Sequence, residues 1–227
     1  MMKVERDMNV KTDKMLLYRI IRGIFKPVFK VIFRPKIIGA ENIPKTGRVV
    51  IAGNHKCALD PILVDISTKR IVKALGKKEL HDSLFGFIFR NVGTIPVDLH
   101  KSSNPDALNA AVNALGHESA INVSPEAKRN YTDNLLLRFK YGAVSMAEKT
   151  GAPIVPYAIT GEYILFSRNL KIVFGEPFYV SGELSAANEL LYNKIAWLLR
   201  ENMDKKELEK KRFVSFEEWE NEHKKTS

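Results

Sequence analysis

Short apolar runs alternate with helical patterns from Lys36 onward, and this rhythm constrains the fold more than any other feature of the sequence. Strands that are separated by helices form largely parallel sheets, because each helix returns the chain to the starting edge of the sheet. We therefore predict an α/β domain with a central mixed, largely parallel sheet flanked by helices. The predicted strands are Ile37–Gly39, Val49–Gly53, Ile71–Leu75, Gly93–Val97, Ala120–Ser124, Ile154–Ile159 and Leu170–Phe174.

Helical periodicity fills most of the intervals between these strands. The clearest predicted helices are Pro61–Ser67, Pro105–Gly116, Phe139–Thr150 and Ala186–Asn202. With 227 residues, of which 45% are hydrophobic, the chain can bury one substantial core. We predict three segments: N-terminal amphipathic helices (1–35), one α/β domain (36–203) and a charged C-terminal helix or tail (204–227).

The segment Lys14–Lys36 carries seven basic residues, and the next acidic residue is Glu41. On a helix of ~100° per residue, Arg19, Arg22 and Lys26 share one narrow arc. Apolar side chains occupy the broad opposite face. The residues of that face that we predict to contact a membrane are Leu16, Leu17, Ile20, Ile21, Ile24 and Phe25.

Pro27 lies inside this segment and should interrupt the helix, because proline cannot donate the backbone hydrogen bond. We therefore expect a helical pair, whose second piece adds Phe29 to the membrane-contacting residues. A basic amphipathic helix can lie in the interface of an anionic membrane, with its basic side chains near the lipid phosphates. The alternative is packing on the domain core with a solvated basic face. The aromatic and isoleucine residues, together with the absence of acids, favour membrane contact.

The charge, the apolar stretches and the cysteine content of the chain indicate which partners and which cellular compartment are compatible with it. The net charge of +10 favours an anionic partner such as a membrane surface, a nucleic acid or a phosphorylated substrate. The longest uncharged stretch, Thr150–Gly161, has 12 residues, fewer than the ~20 that span a bilayer. Glu5 and Asp7 are untypical of a secretory signal, and the single cysteine, Cys57, cannot form an intramolecular disulfide. We predict a cytoplasmic protein that associates peripherally with the inner face of the cell membrane.

His55 and Asp60 lie five residues apart, directly after the predicted strand Val49–Gly53. A turn of this length can fold the carboxylate back onto the imidazole. One ring nitrogen then remains free to accept a proton, and the carboxylate stabilises the protonated ring. We interpret His55 as a candidate general base. Spacing alone also allows a surface histidine beside the N-cap of a helix that begins at Pro61.

Four short blocks follow one another between residues 36 and 180. They are Asn54–Pro61 (NHKCALDP), Gly86–Arg90 (GFIFR) with Gly93–Asp98 (GTIPVD), Val123–Arg129 (VSPEAKR) and Ile154–Ile159 (IVPYAI). In their residues and order they resemble the blocks of the glycerophospholipid acyltransferases, and in particular the 1-acylglycerol-3-phosphate (lysophosphatidic acid) acyltransferase family.

The resemblance implies a reaction and a set of roles. Enzymes of this family move a fatty acyl group from an acyl thioester, acyl-CoA or acyl-carrier protein, to a lyso-lipid hydroxyl, here that of 1-acylglycerol-3-phosphate to give phosphatidic acid. The resemblance makes His55 the catalytic base and Asp60 its orienting partner, with no metal site and no cofactor. The implied substrate-binding residues are Lys77, Gly86, Arg90, Glu126 and Arg129.

These substrate-binding roles follow from the charge of the acceptor. Arg90 and Arg129 would bind its phosphate, since a guanidinium matches phosphate oxygens, and Lys77 would add a third positive charge. Glu126 would hold the glycerol oxygens of the acceptor or brace the arginines. We expect these groups to gather with His55 around one cleft at the lipid boundary.

The third block departs from the family pattern at Ser124, Ala127, Lys128 and Asn130, where the family has an aromatic residue, a glycine and small hydroxyl residues. Because alanine tolerates positive φ less readily than glycine, we expect the turn near Glu126 to differ in shape. Acylation of another lyso-lipid or of another hydroxylated acceptor is therefore an open alternative. An alternative function is a basic peripheral protein that binds anionic lipid without catalysis. Nucleic-acid binding lacks support, because no zinc spacing or recognition motif accompanies the basic residues.

Overall fold

A seven-stranded sheet forms the centre of the molecule. The structure, a computed structural model, describes residues 16–84, 86–98, 100 and 104–226, with the side chains of all of these except 16, 17, 88, 90, 91 and 222–226. The strands are β1 (Lys36–Ile38), β2 (Val49–Gly53), β3 (Val72–Lys77), β4 (Ile95–Val97), β5 (Ala120–Val123), β6 (Ile154–Thr160) and β7 (Lys171–Phe174). All seven predicted strands are thus confirmed within a few residues.

The order across the sheet is β1-β7-β6-β2-β5-β3-β4. The strands from β6 to β4 run parallel, whereas β7 is antiparallel to β6 and β1 is parallel to β7. The predicted mixed, largely parallel sheet is therefore confirmed. Every residue of the central strands β2, β5 and β6 is buried, which explains why they read as continuous apolar runs.

Helices cover both faces of this sheet. Within the described residues they are α1 (Leu16–Phe33), α2 (Asp60–Ser67), α3 (Lys78–Asp82), α4 (Gly86–Asn91), α5 (Pro105–Gly116), α6 (Gly142–Thr150), α7 (Leu184–Asn202), α8 (Lys205–Leu208) and α9 (Phe216–Thr226). Alternate residues of β2 serve the two faces: Val50 and Ala52 pack with α5, α6 and α7, while Val49 and Ile51 pack with α1 and α2. The four clearest predicted helices are all present.

The N-terminal segment forms one continuous helix of 18 residues that passes through Pro27. The expected break into a helical pair is therefore wrong. A proline inside a helix removes one hydrogen bond and costs about 3 kcal/mol. Contacts on both sides of Pro27 offset this cost: the side chains of Tyr18 and Phe29 are buried against the domain.

Arg22 attaches the first half of α1 to the end of α2. Its guanidinium donates to the backbone oxygens of Asp65 and Thr68 and to the next two carbonyls, those of Lys69 and Arg70. Its Nε lies 3.3 Å from the Asp65 carboxylate, which also accepts a hydrogen bond from Tyr18 Oη. Arg22 thus binds carbonyls at the C-terminus of α2 that lack helical partners, rather than facing lipid phosphates as its position in the basic arc had indicated.

The C-terminal segment packs on the domain through a few apolar residues. Val214 and Phe216 are buried, and Tyr192 Oη of α7 donates to the backbone oxygen of Val214 at 2.6 Å. Asp204 caps α8, since its side chain accepts a hydrogen bond from Lys206 N. Among the helices that the structure describes, none is long and apolar enough to cross a membrane.

Candidate active site

Three neighbouring strands end at the same edge of the sheet and bring the first, third and fourth blocks of the sequence together. β2 lies between β5 and β6, and all three run parallel, so that their C-terminal ends share this edge. The segment after β2 carries His55, the segment after β5 carries Glu126, and β6 forms the fourth block. Gly53 ends β2, and glycine is required there because a Cβ would lie 2.4 Å from the Tyr157 ring.

His55 and Asp60 form a hydrogen-bonded pair. His55 Nδ1 lies 2.8 Å from Asp60 Oδ2, and the Asp60 side chain is 1% exposed whereas that of His55 is 22% exposed. A ring nitrogen that faces a carboxylate carries the proton, which leaves Nε2 as an acceptor. The histidine therefore presents a proton-accepting nitrogen while its partner is withdrawn from solvent.

Asp60 is held by several donors besides the imidazole. The backbone N–H groups of Lys56 and Cys57 each donate to Oδ2 at 2.8 Å, so the turn closes around the carboxylate. Tyr163 Oη donates to the other oxygen, Oδ1, at 2.6 Å. Burial and the nearby charge of Asp60 raise the pKa of Tyr163 far above its ordinary value, so that the phenol stays protonated and donates. Both carboxylate oxygens are thereby fixed in position.

The backbone around His55 is fastened to two other blocks. The Asn54 amide pairs with the backbone of Ile159 in β6 through two hydrogen bonds, at 3.0 Å and 2.7 Å. His55 N donates to Glu126 Oε2 at 2.7 Å, and His55 O accepts from Asn130 N at 2.8 Å. The third block and the residue that follows it therefore hold the histidine through its backbone N–H and its backbone C=O.

Glu126 accepts hydrogen bonds from two backbone amides, the first of which is His55 N. Its carboxylate is buried, and its second oxygen accepts a hydrogen bond from Leu137 N at 2.8 Å. Burial raises the pKa of Glu126 to about 7, although the hydrogen bonds from the backbone of Leu137 and His55 oppose this rise. The carboxylate thereby joins the third block to the first, and its contact with the acceptor or the arginines stays a prediction.

Ala127 takes the conformation that usually favours glycine. Its φ is 57°, and its N–H donates to Ser124 O at 3.0 Å, which closes a turn next to Glu126. Lys140 N donates to Pro125 O at 2.8 Å and holds the other side of this turn. An alanine with positive φ costs roughly 1 kcal/mol relative to glycine, and the surrounding hydrogen bonds offset this strain.

A cleft of about 270 Å³ opens beside His55. Glu126 and Ile159 lie on its wall, and two lysines, Lys56 and Lys211, are the basic residues that line it. Both lysines have partners: Lys56 Nζ lies 2.9 Å from Glu162, and Lys211 Nζ donates to a backbone oxygen at 3.1 Å. The wall also contains apolar Leu135, Leu199 and Met203.

The predicted cationic residues follow β5, end β3 and belong to α4. Arg129 is exposed, and its guanidinium lies 5.3 Å from the ring centroid of Tyr131, a residue of the cleft wall. Lys77 is exposed at the C-terminal end of β3. Among the described side chains, neither of these two hydrogen-bonds His55 or Asp60. Gly86 is buried at the start of α4, and Arg90 belongs to the same helix but its side chain lies outside the described set.

The predicted membrane-contacting residues fall into four groups. Ile20, Ile24 and Phe25 are exposed, as are Val28 and Val31 of the same helix, and Ile21 is half-buried. Phe29 was wrongly included, because it is 5% exposed and packs against Phe33 and Tyr163. The side chains of Leu16 and Leu17 lie outside the described residues.

Tyr163 and Asn54 were missed as site residues. Asn54 stands in the first block, yet its partner Ile159 is 105 positions away. Tyr163 follows the fourth block by four residues but meets Asp60 across 103 positions. Neither contact has a local periodicity or spacing, although a tyrosine four residues after the fourth block is a signal that could have been weighed.

The fold and the site together place this protein in the class of α/β proteins that carry a histidine–carboxylate pair at the C-terminal edge of their parallel strands. Within that class, the profile of the Acyltransferase family matches residues 34–160, more than half of the chain. The chain therefore belongs to the acyltransferase family. This confirms the family resemblance that the four blocks carry.

Relatives and a solved structure agree with this placement. The chain is similar to the 1-acyl-sn-glycerol-3-phosphate acyltransferase of Borreliella burgdorferi, with 29% identity over 146 residues that cover 63% of this chain and 58% of that protein. The enzyme of that name from Bacillus subtilis is 24% identical over 169 residues, 72% of this chain and 83% of that protein. The crystal structure of the 1-acyl-sn-glycerophosphate (LPA) acyltransferase from Thermotoga maritima superposes with a TM-score of 0.65 over 88% of this chain and 86% of that chain, at 20% identity. At that identity the likeness concerns the fold alone.

Proposed function

We propose that this protein transfers a fatty acyl group from an acyl thioester to the hydroxyl of 1-acylglycerol-3-phosphate, with His55 as general base. The observation that carries the proposal is the 2.8 Å contact between His55 Nδ1 and the buried Asp60 carboxylate beside an open cleft. The curated relatives bear the name of this activity, and membership of the acyltransferase family supports the reaction class.

The proposed chemistry is a direct transfer. His55 Nε2 takes the proton of the acceptor hydroxyl as its oxygen attacks the thioester carbonyl, and an O–C bond replaces the C–S bond. The thiolate leaves and receives the proton from the imidazolium, so that histidine ends neutral and no acyl-enzyme is formed. Asp60 stabilises the imidazolium between these two steps, and Tyr163 holds Asp60 in position.

Arginine and lysine side chains outside the cleft wall would bind the acceptor phosphate. Arg129 is exposed next to the cleft wall, and Lys77 and the helix that contains Arg90 lie at the same edge of the sheet. Guanidinium and ammonium groups that are solvated in the free protein can turn toward a phosphate when it enters. In this proposal Glu126 contributes by holding the His55 backbone.

The exposed apolar residues of α1 support a position at the membrane surface. Ile20, Ile24 and Phe25 would enter the bilayer, while basic residues of the same helix contact anionic lipid. The substrate of the proposed reaction is itself a membrane lipid. We therefore place the enzyme peripherally on the inner face of the cell membrane, where anionic lipids attract a chain of charge +10.

Product analysis tests the proposed reaction. Purified protein is incubated with mixed vesicles that contain 1-acylglycerol-3-phosphate and, in separate reactions, radiolabelled acyl-CoA or acyl-carrier protein. We expect labelled phosphatidic acid with at least one donor. Vesicle binding without transfer from either donor, to this acceptor or to other lyso-lipids, would reject the catalytic proposal and favour the lipid-binding alternative.

A further inference from the structure

Three consecutive apolar residues, Ile164, Leu165 and Phe166, are exposed in the loop between β6 and β7. Their exposed fractions are 54%, 62% and 61%. A run of bulky apolar side chains in solvent is unfavourable for a free protein and marks an interaction surface. The loop lies directly after Tyr163, the residue whose hydroxyl binds Asp60.

This loop is fastened to the end of α1. Phe166 N donates to the backbone oxygen of Ile32. The Tyr163 ring makes edge contacts with two aromatic residues of α1, with ring centroids 5.7 Å from Phe33 and 6.3 Å from Phe29. The loop and the helix are therefore two parts of one surface, and exposed Val31 lies within the last turn of the helix next to this junction.

The charges around the surface indicate a lipid bilayer as its occupant. α1 contains no acidic residue, and its exposed apolar stripe is bordered by Arg19, Lys26 and Lys30. Burial and the nearby charges of Arg22 and Lys30 lower the pKa of Lys26, as expected for crowded positive groups. On the loop side, exposed Arg168 follows two residues after Phe166. Apolar side chains bordered by cations match the hydrocarbon and headgroups of an anionic membrane.

We propose that residues 164–166 form a second membrane-inserting element, which enters the same anionic bilayer as α1. The proposal rests on the membrane location given under the proposed function and extends it to a loop that adjoins the active site. Since Tyr163 connects this loop to Asp60, insertion brings the His55 cleft to the lipid surface, where the acceptor hydroxyl lies.

Tryptophan fluorescence tests insertion directly. Leu165→Trp and the matched control Leu190→Trp, at an exposed position of α7, are each mixed with phosphatidylglycerol vesicles that contain brominated phosphatidylcholine. The signal of the parent protein, which has two tryptophans, is subtracted. We expect a blue shift and bromine quenching for Leu165→Trp and neither for Leu190→Trp. Equal responses of the two variants, or no quenching at position 165 while the protein sediments with the vesicles, would overturn the proposal.

Sedimentation with the same vesicles measures how much the loop contributes. Leu165→Asp should lower the constant for partition into the vesicles by roughly tenfold or more, because a leucine side chain no longer enters the hydrocarbon. Leu190→Asp should leave this constant unchanged. Unchanged binding of Leu165→Asp would contradict the proposal. Neither measurement requires turnover, so a failure of acyl transfer and a failure of loop insertion are distinguishable.

Discussion

Replacing Glu126 by glutamine should remove a pH dependence from the stability of the fold. Burial raises the pKa of Glu126 from 4.5 to about 7, so the folded protein keeps a proton that the unfolded chain loses first. The contribution of Glu126 to the free energy of unfolding is then largest below pH 4.5 and falls as the pH rises through 7. This difference between the folded and the unfolded pKa corresponds to about 3 kcal/mol of stability. Roughly 2–3 kcal/mol of that stability is lost between pH 5 and 8.

Glutamine cannot titrate, and its amide nitrogen faces one of the two donors, His55 N or Leu137 N, that the carboxylate accepts from. The loss of one of these hydrogen bonds costs the variant roughly 1–3 kcal/mol at every pH, separately from the pH-dependent effect of the titration. Urea unfolding of both proteins at pH 5 and pH 8 separates the two effects. The stability of Glu126→Gln relative to the parent should increase by roughly 2–3 kcal/mol toward pH 8. A constant difference across this range would refute the reasoning that Glu126 is a buried carboxyl with a raised pKa.

Three further substitutions probe separate contacts. Tyr163→Phe keeps the ring packing but removes the hydrogen bond to Asp60, so kcat should fall roughly tenfold with little change in KM; an unchanged kcat would mean that Tyr163 does not position the carboxylate. Ala127→Gly should raise the free energy of unfolding by roughly 1 kcal/mol in urea titrations, because glycine adopts the φ of 57° without the strain that alanine has there. A loss of stability would contradict the inference that Ala127 is strained. Arg22→Leu should lower the free energy of unfolding by roughly 3 kcal/mol because the half-buried Asp65 carboxylate loses its partner, whereas Arg19→Leu, at an exposed position, should change it little. Equal effects of the two substitutions would show that Arg22 does not attach the helix.

The parts of the fold that follow from local pattern could be predicted from the sequence. The central strands are buried on both faces, so strands such as Val49–Gly53 appear as unbroken apolar runs. The His55–Asp60 pair closes over five residues, and a turn of that length has few alternatives. The family blocks then identified the strand ends that meet at one edge.

Other features depend on contacts between distant segments and leave no local pattern. Arg22 lies in the same helical arc as Arg19, and only the position of the α2 C-terminus distinguishes the buried guanidinium from the solvated one. Phe29 is as apolar as Phe25, but the domain covers one and leaves the other exposed. Pro27 remains within a helix because tertiary packing outweighs a local preference. The contact of Tyr163 with Asp60 likewise exists only once the sheet has formed.

Turnover by a His55→Gln variant tests the general-base assignment most directly. Initial rates of phosphatidic acid formation are compared among the parent, His55→Gln and His117→Gln, whose exposed histidine serves as the matched control. If Nε2 of His55 removes the hydroxyl proton, kcat should fall roughly 10²–10⁴-fold in His55→Gln only, while vesicle binding is retained. A kcat equal to that of the parent would contradict the proposed role of His55.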